Sequence, residues 1–417
     1  MSVDQQELQE YRARARAWLQ ANLTRGHAAE RGHGSESDED IAQEREIMAK
    51  ICDAGYAGIN VPKEYGGQGL TSAHLKVFNE EARDYNIPTG GVTLAIVMPT
   101  LLKHGSEAQK KRYVPKMLRG EERWVQLFSE PGAGSDLAGL QTRAEQQADG
   151  SWLLNGQKVW TTGAAHAEFG VCLARTDWDA LKHEGISFFI VDLHAEGVTV
   201  RPIREINGGA SFCEEFLDNV RLPADNLVGE LGQGWAIANY LLSIERGGGG
   251  GDGPADSHMR GTRTKQLSPD LVAYARKRGV AKDSDIRQLI ATAHINDYMY
   301  NVLVDRVSKG IGEGKMDPTS ASYIKHGLGL LQPARAKIAM EVAGAGAIAW
   351  TAEQEAEAIT STQYLNCRVY SIAGGSMQIQ RNIISERILG LPREPAFDRG
   401  IPFREVQKRA KSWTGKV

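Results

Sequence analysis

Two hydrophobic periodicities divide this 417-residue chain, and their order constrains the fold more than any other feature. Near the start, Leu8, Tyr11, Ala15, Trp18 and Leu19 recur at helical spacing, giving one apolar stripe on a charged helix. A polar connection runs over roughly 26–40. Within it Ser37 offers an N-cap to a second helix carrying Ile41, Met48, Ile51 and Cys52, which Gly55 stops. Turn chemistry fills 60–69, a third helix starts near Ser72 and runs until Pro88, and a fourth opens at Ser106 and ends near Gly120. At about Trp124 the period changes. Asp149-Gly150 and Asn155-Gly156 read as tight turns between short β-branched and aromatic runs, among them VWTT, FGVCLART, GISFFIVDL and GVTVRPI. This is the pattern of an antiparallel β unit closing near Gly234. Helical spacing then returns over 286–307, 320–342, 352–370 and 377–389.

Helices, sheet, helices is an α+β order. It divides the chain into an N-terminal helical domain over 1–123, a central antiparallel β domain over 124–236, a C-terminal helical bundle over 237–395 and a polar tail over 396–417. The length suits two or three domains of about 150 residues each.

Charge and cysteine content exclude several functions. Lys plus Arg is 49 against 52 Asp plus Glu, a net −3, so the basic field that nucleic acid or an anionic membrane surface requires is missing. The cysteines, Cys52, Cys172, Cys213 and Cys367, lie far apart, without metal-ligand spacing, and read as reduced thiols. The N-terminus shows no apolar signal core, and the most apolar run, 91–102, contains Pro99 and is too short to span a bilayer. A cytoplasmic protein is expected.

The most informative stretch is FSEPGAGSDLAG, 128–139. Its small residues let backbone N–H groups approach a ligand closely, while Ser129 and Ser135 add hydroxyls without bulk. About twenty residues on comes NGQKVWTTG, with Trp160, Thr161 and Thr162. GSEAQKKRYVPKMLRGE precedes both, and FCEEFLDNVRLPADNLVGELGQGW and SMQIQRNIISERILGLPRE follow. In order and spacing these segments resemble the acyl-CoA dehydrogenase family over roughly residues 5–395. The resemblance implies N-terminal helices, a central β domain and a C-terminal four-helix bundle, with FAD between the last two. It implies an acyl-CoA substrate, electron-transfer flavoprotein as the electron acceptor, and a homodimer or homotetramer. By the same resemblance Phe128 and Ser129 contact the isoalloxazine, Ser135 reaches both cofactor and acyl-CoA, Trp160 flanks the flavin edge, and Thr161 and Thr162 place hydroxyls at the ring. Ser376 and Gln378 are further cofactor contacts. Arg276 stands where the family's pyrophosphate-binding Arg stands, although Gly279 replaces the Phe expected after it. AGAGA, 343–347, replaces a Gly-Gly element near the adenosine. The eroded pyrophosphate element makes a heteromer with a partner that completes the FAD site an alternative assembly.

Removing hydrogen from the α and β carbons of a thioester needs a carboxylate for the α proton, donors for the developing enolate oxygen and a hydride acceptor. Many family members carry the Glu in a Tyr-Glu-Gly-Thr segment. Here that segment is Ala373-Gly374-Gly375-Ser376, and Gly374 has no acid. A second family arrangement, of the isovaleryl and long-chain type, puts Glu directly before an Arg on another helix. This chain has Glu245 before Arg246, in LLSIERGGGG. The resemblance therefore implies Glu245 as the base, Arg246 beside the substrate, and the Gly374 N–H as an oxyanion donor. The five glycines 247–251 are expected to interrupt the helix, at about 1 kcal/mol each relative to Ala, and to widen the acyl pocket. The expected activity is FAD-dependent oxidation of an acyl-CoA, with a branched or bulky acyl group, to a trans-2-enoyl-CoA. Other flavin chemistry on the same scaffold, a monooxygenase or a desulfinase, is the alternative.

Overall fold

The computed structural model describes residues 4–25, 37–85, 87–88, 91–245, 271–351, 354–393, 395–396 and 398–412. Arg246 and the glycine run 247–251 lie outside the described residues.

The N-terminal helices are α1 (Gln5–Asn22), α2 (Asp38–Asp53), α3 (Ser72–Ala82), α4 (Met98–His104) and α5 (Glu107–Arg119). Both expected caps close. Asp40 N–H donates to Ser37 Oγ and Gln109 N–H to Ser106 Oγ, while Asp40 and Gln109 accept the N–H groups of Ser37 and Ser106 in return. The apolar run near 91–102 forms a π turn, Thr93–Val97, leading into α4.

The central sheet has strands β1 (Trp124–Leu127), β2 (Arg143–Gln146), β3 (Trp152–Thr162), β4 (Phe169–Arg175), β5 (Ile186–Asp192), β6 (Val198–Pro202), β7 (Phe212–Leu222) and β8 (Leu227–Val228). Their order is β6-β7-β3-β2-β4-β5-β8, with β1 beside β4. The sheet is not wholly antiparallel, because β1 runs parallel to β4 and Arg143 pairs in parallel with Arg175. The continuous apolar runs reflect cover on both faces. Ile186, Phe188 and Ile190 of β5 pack into a core shared with the N-terminal helices, while Phe189 and Val191 pack into a second core with Trp152 and Leu217.

Asp149-Gly150 turns the β2–β3 hairpin as expected, with Gly150 at φ +85°. Asn155-Gly156 does not make a turn. It lies within β3, where the register against β7 shifts between Leu154 and Gly156, and a β-carbon on Gly156 would stand 2.4 Å from Thr142 Oγ1. Close strand approach, rather than chain reversal, demands this glycine.

The C-terminal region contains α6 (Gly234–Glu245), α7 (Leu271–Lys277), α8 (Ser284–Gly312), α9 (Ala321–Ala343), α10 (Glu355–Asn366), α11 (Met377–Ile383) and α12 (Phe403–Ser412). α6 starts three residues before the expected domain boundary and packs on β5 and on α4. Helix and strand meet closely there, since a β-carbon on Gly234 would lie 2.6 Å from the Ser187 carbonyl carbon. α8 and α9 pack against each other. The segment read as a polar tail folds back onto the β domain, with Phe403 and Val406 buried. Two apolar residues three apart suffice to dock a single helical turn, and such a short stripe is easily overlooked in a charged sequence. No helix of the described residues is long and apolar enough to cross a membrane, and the four cysteines are unpaired thiols.

Candidate active site

α6 buries Ile237, Ala238, Leu241 and Ile244. Glu245, its last residue, is four positions beyond Leu241 and so shares that inward face. Its Oε2 is shut off from solvent. Opposite it stands the loop between a short 3-10 turn, Val369–Ser371, and α11, where Gly374 and Gly375 take φ of +65° and +92°. A β-carbon on Gly374 would stand 3.2 Å from Glu245 Oε1 and 3.3 Å from Lys325 Cε. The carboxylate on α6 thus reaches the space that a side chain at 374 would enter. Among the described residues no backbone carbonyl accepts the Gly374 N–H.

α9 fixes this loop from behind. Lys325 Nζ donates to the Tyr370 carbonyl at 2.6 Å, and Ser371 Oγ donates to the Gly329 carbonyl at 3.0 Å. Gln380 of α11, fully buried, donates through Nε2 to the carbonyls of Gly374 and Gly375, both at 3.3 Å. Lys325 lies outside the motifs read in the sequence, while Gln380 lies within SMQIQRNIISERILGLPRE, where nothing marks it as the residue that holds the turn. A lysine among the buried positions Ile324, Gly329 and Leu331 of α9 is the only trace the sequence offers of the first. Gly375→Ala should cost about 1–3 kcal/mol through its left-handed backbone, since its β-carbon would also stand 2.4 Å from Gln380 Nε2. A thermal midpoint equal to that of the unsubstituted protein would show that the turn tolerates a side chain.

A cavity of about 970 Å³ adjoins this loop, lined among others by Ala373, Tyr370 and Lys325 on one side and by Thr162, Gly163 and Phe212 on the other. Trp160 is 60% exposed at φ +66°, with its ring edge-on to Phe212 at 6.1 Å between centroids. It is not a core aromatic. Ser129 is its neighbour, accepting the Val159 N–H through its carbonyl at 3.0 Å.

The other residues expected at the site differ in their surroundings. The Thr161 hydroxyl faces the sheet interior and donates to Glu215 Oε2 at 2.8 Å, so only Thr162 presents its side chain to the cavity. The Phe128 ring is buried against Phe188, leaving its backbone as the part a ligand can meet. Ser376 Oγ caps α11 by accepting the Ile379 N–H. Gln378 is exposed, and Arg276 is exposed in the last turn of α7; neither lines the cavity. Ser135 is exposed on the 131–136 part of the glycine-rich loop.

That loop is stapled from beneath. Fully buried Lys158 donates to Glu130 Oε1 at 2.9 Å and to the Phe128 carbonyl at 3.1 Å, and Glu130 accepts the Gln141 and Thr142 N–H groups. Burial would raise the Glu130 pKa, but Lys158 and the hydrogen bonds hold it below the ordinary carboxylate range. Burial pushes Glu215, on the neighbouring strand, up to about 7.

The sequence matches the acyl-CoA dehydrogenase N-terminal domain over residues 5–121, the middle domain over 126–220 and the C-terminal domain over 232–389. The chain belongs to the acyl-CoA dehydrogenase family. Acyl-CoA dehydrogenase FadE34 of Mycobacterium tuberculosis is 38% identical over 84% of the chain, which spans 47% of FadE34's own length. Acyl-CoA dehydrogenase IpdE1 of the same organism is 35% identical, with 93% of this chain and 99% of that one covered. Among solved structures, the Tcur3481-Tcur3483 steroid ACAD aligns at a TM-score of 0.76 and 29% identity, over 94% of this chain and 100% of that one. The ChsE4-ChsE5 complex from Mycobacterium tuberculosis aligns at 0.69 and 26% over the same shares. As an acyl-CoA dehydrogenase the chain is an oxidoreductase, and its helical, sheet and helical regions are those of the family.

Proposed function

We propose that this acyl-CoA dehydrogenase oxidises a bulky acyl-CoA to its trans-2-enoyl-CoA with Glu245 as the base. The observation that carries the reading is the 3.2 Å between Glu245 Oε1 and the β-carbon position of Gly374. A carboxylate at either position would meet the same substrate carbon, so the missing acid on one helix and the acid present on the other are one feature. Glu245 takes the α proton, and the Gly374 N–H, directed by the turn that Gln380 holds, donates to the developing enolate oxygen.

The residues around the cavity fit FAD. An exposed hydroxyl at Thr162, open space beside Gly163, where a β-carbon would meet nothing within 4 Å, and the outward Trp160 ring suit a flat ring with polar edges. When bound there, FAD supplies the hydride acceptor. Thr162 and Trp160 would hold it, and electron-transfer flavoprotein would be the electron acceptor. Similarity to the Tcur3481-Tcur3483 steroid ACAD over nearly the whole chain supports a polycyclic or similarly bulky acyl group. Anaerobic mixing with a panel of acyl-CoA thioesters tests the reading. Flavin bleaching without oxygen is the expected result, and an unbleached flavin across short, long, branched and steroid thioesters would overturn it in favour of other flavin chemistry.

An apolar face on α8 supports an assembly. Ile295, Tyr298, Met299 and Val302 are all exposed and follow helical spacing on one face. We assign that face to a second acyl-CoA dehydrogenase subunit, either a copy of this chain or a related one as in the two-protein complexes above. Light scattering of the isolated chain should give a mass of at least a dimer. A monomer that also binds no FAD would point to the heteromer, and a monomer that binds FAD fully would refute the assignment.

A further inference from the structure

We propose that the C-terminal segment 398–412 is a strap that positions the glycine-rich loop 131–139 for an acyl-CoA. The loop is anchored at its start by the paired backbone bonds of Glu130 and Ala133 and by the buried Ala133, but its outer residues stand clear of that staple. Pro131, Gly132, Gly134, Ser135 and Asp136 are exposed, and a β-carbon on Gly132 or Gly134 would meet nothing within 4 Å. Beyond that staple the outer part is tethered by Lys182, whose ammonium lies 2.8 Å from the Asp136 carboxylate and is also hydrogen-bonded to Asp398 of the strap. The Lys182 side chain is only 9% exposed, so solvent does little to replace either carboxylate.

Arg175 joins the same three pieces below. It is fully buried and donates to the carbonyls of Ala138 at 2.7 Å, Leu140 at 3.3 Å and Lys182 at 3.2 Å. Its guanidinium carbon lies 3.4 Å from the ring centre of Phe403, which helps close the arginine off from water. Backbone bonds complete the strap, from Phe403 N–H to the Ala180 carbonyl and from Arg404 N–H to the Trp178 carbonyl, both at 2.9 Å. Arg404 also pairs with Asp179 at 2.9 Å. Loop, the 176–185 turn and strap therefore move as one unit, with Asp398 and Phe403 as positioning residues rather than ligands.

The consequence for binding rests on the reading that Ser135 meets the acyl-CoA. Full-length Asp398→Asn and Phe403→Ala should exchange the amide hydrogens of 131–139 at least about tenfold faster than the unsubstituted protein. They should weaken the affinity for coenzyme A, measured by calorimetric titration, by about tenfold, with FAD content unchanged. Asp398→Glu should restore most of both. Unchanged loop exchange in both variants would overturn the strap. So would faster exchange with an unchanged coenzyme A affinity, because the loop would then be held without serving the ligand. Failure of the unsubstituted protein to bind coenzyme A would instead remove the reading of Ser135, and loop exchange would still decide whether the strap holds the loop.

Discussion

Glu245→Gln should lower the rate of anaerobic flavin reduction by an acyl-CoA by about 10²–10⁴-fold, the range a positioned proton acceptor contributes. FAD content and thioester binding should stay within about twofold, because the amide keeps the shape of the carboxylate and loses only its basicity. Two features make the effect large. Glu245 Oε2 is closed to solvent, so bulk water does not stand in for the base. The position where many family members carry their acid is a glycine, so no second carboxylate waits there. Adding one is not a simple rescue. A side chain at Gly374 begins 3.2 Å from Glu245 Oε1 on a backbone at φ +65°, so it would collide with the existing carboxylate and strain the turn. If Glu245→Gln retained reduction within about tenfold, the base would have to be sought elsewhere and the convergence of the two positions would have no catalytic meaning.

That convergence is open to sequence reasoning because each half is a local pattern, a Glu-Arg pair and a glycine in a known segment. The same holds for the caps at Ser37 and Ser106, which involve only residues three apart. Features set by pairing across the sheet are not legible in this way. Asn155-Gly156 carries a strong turn signal, yet the ladder to β7 runs through it, because strand pairing on both sides outweighs the local preference. Thr161 and Thr162 are indistinguishable in the sequence. Their fates separate because the β3 register shifts between Val159 and Thr161, with Trp160 at φ +66°, so Lys158 and Thr161 both turn inward while Trp160 and Thr162 turn outward. One inserted residue reverses the alternation, and no residue type announces it. The strap is hidden for a related reason, since its anchors Asp398 and Phe403 find Lys182 and Arg175 more than two hundred residues away.

The inward turn of Thr161 has a thermodynamic consequence. Glu215 is fully buried, pairs in register with Lys158 and accepts the Thr161 hydroxyl, while its Oε1 finds no hydrogen-bond partner among the described residues. The charged and titratable groups around it are Lys158 beneath the glycine-rich loop, Cys172 on β4, and Cys213 and Glu214 on β7. Desolvation dominates, and Lys158 and Thr161 offset it only in part, so the pKa rises from 4.5 to about 7 on folding. A carboxyl that binds its proton more tightly when folded stabilises the fold fully below its unfolded pKa, and loses that contribution as pH rises through the folded one. The window is therefore about 4.5 to 7, and the loss across it is on the order of 3 kcal/mol. Glu215→Gln keeps the shape and cannot ionise. Its unfolding free energy, measured in denaturant at a series of pH values, should fall less steeply than that of the unsubstituted protein across this window and gain on it by about 3 kcal/mol at the alkaline end. Parallel curves would mean that Glu215 reaches water in both states. The bulge at Trp160 would then fail to seal the sheet behind Thr162, and the inner face of β3 would be wet.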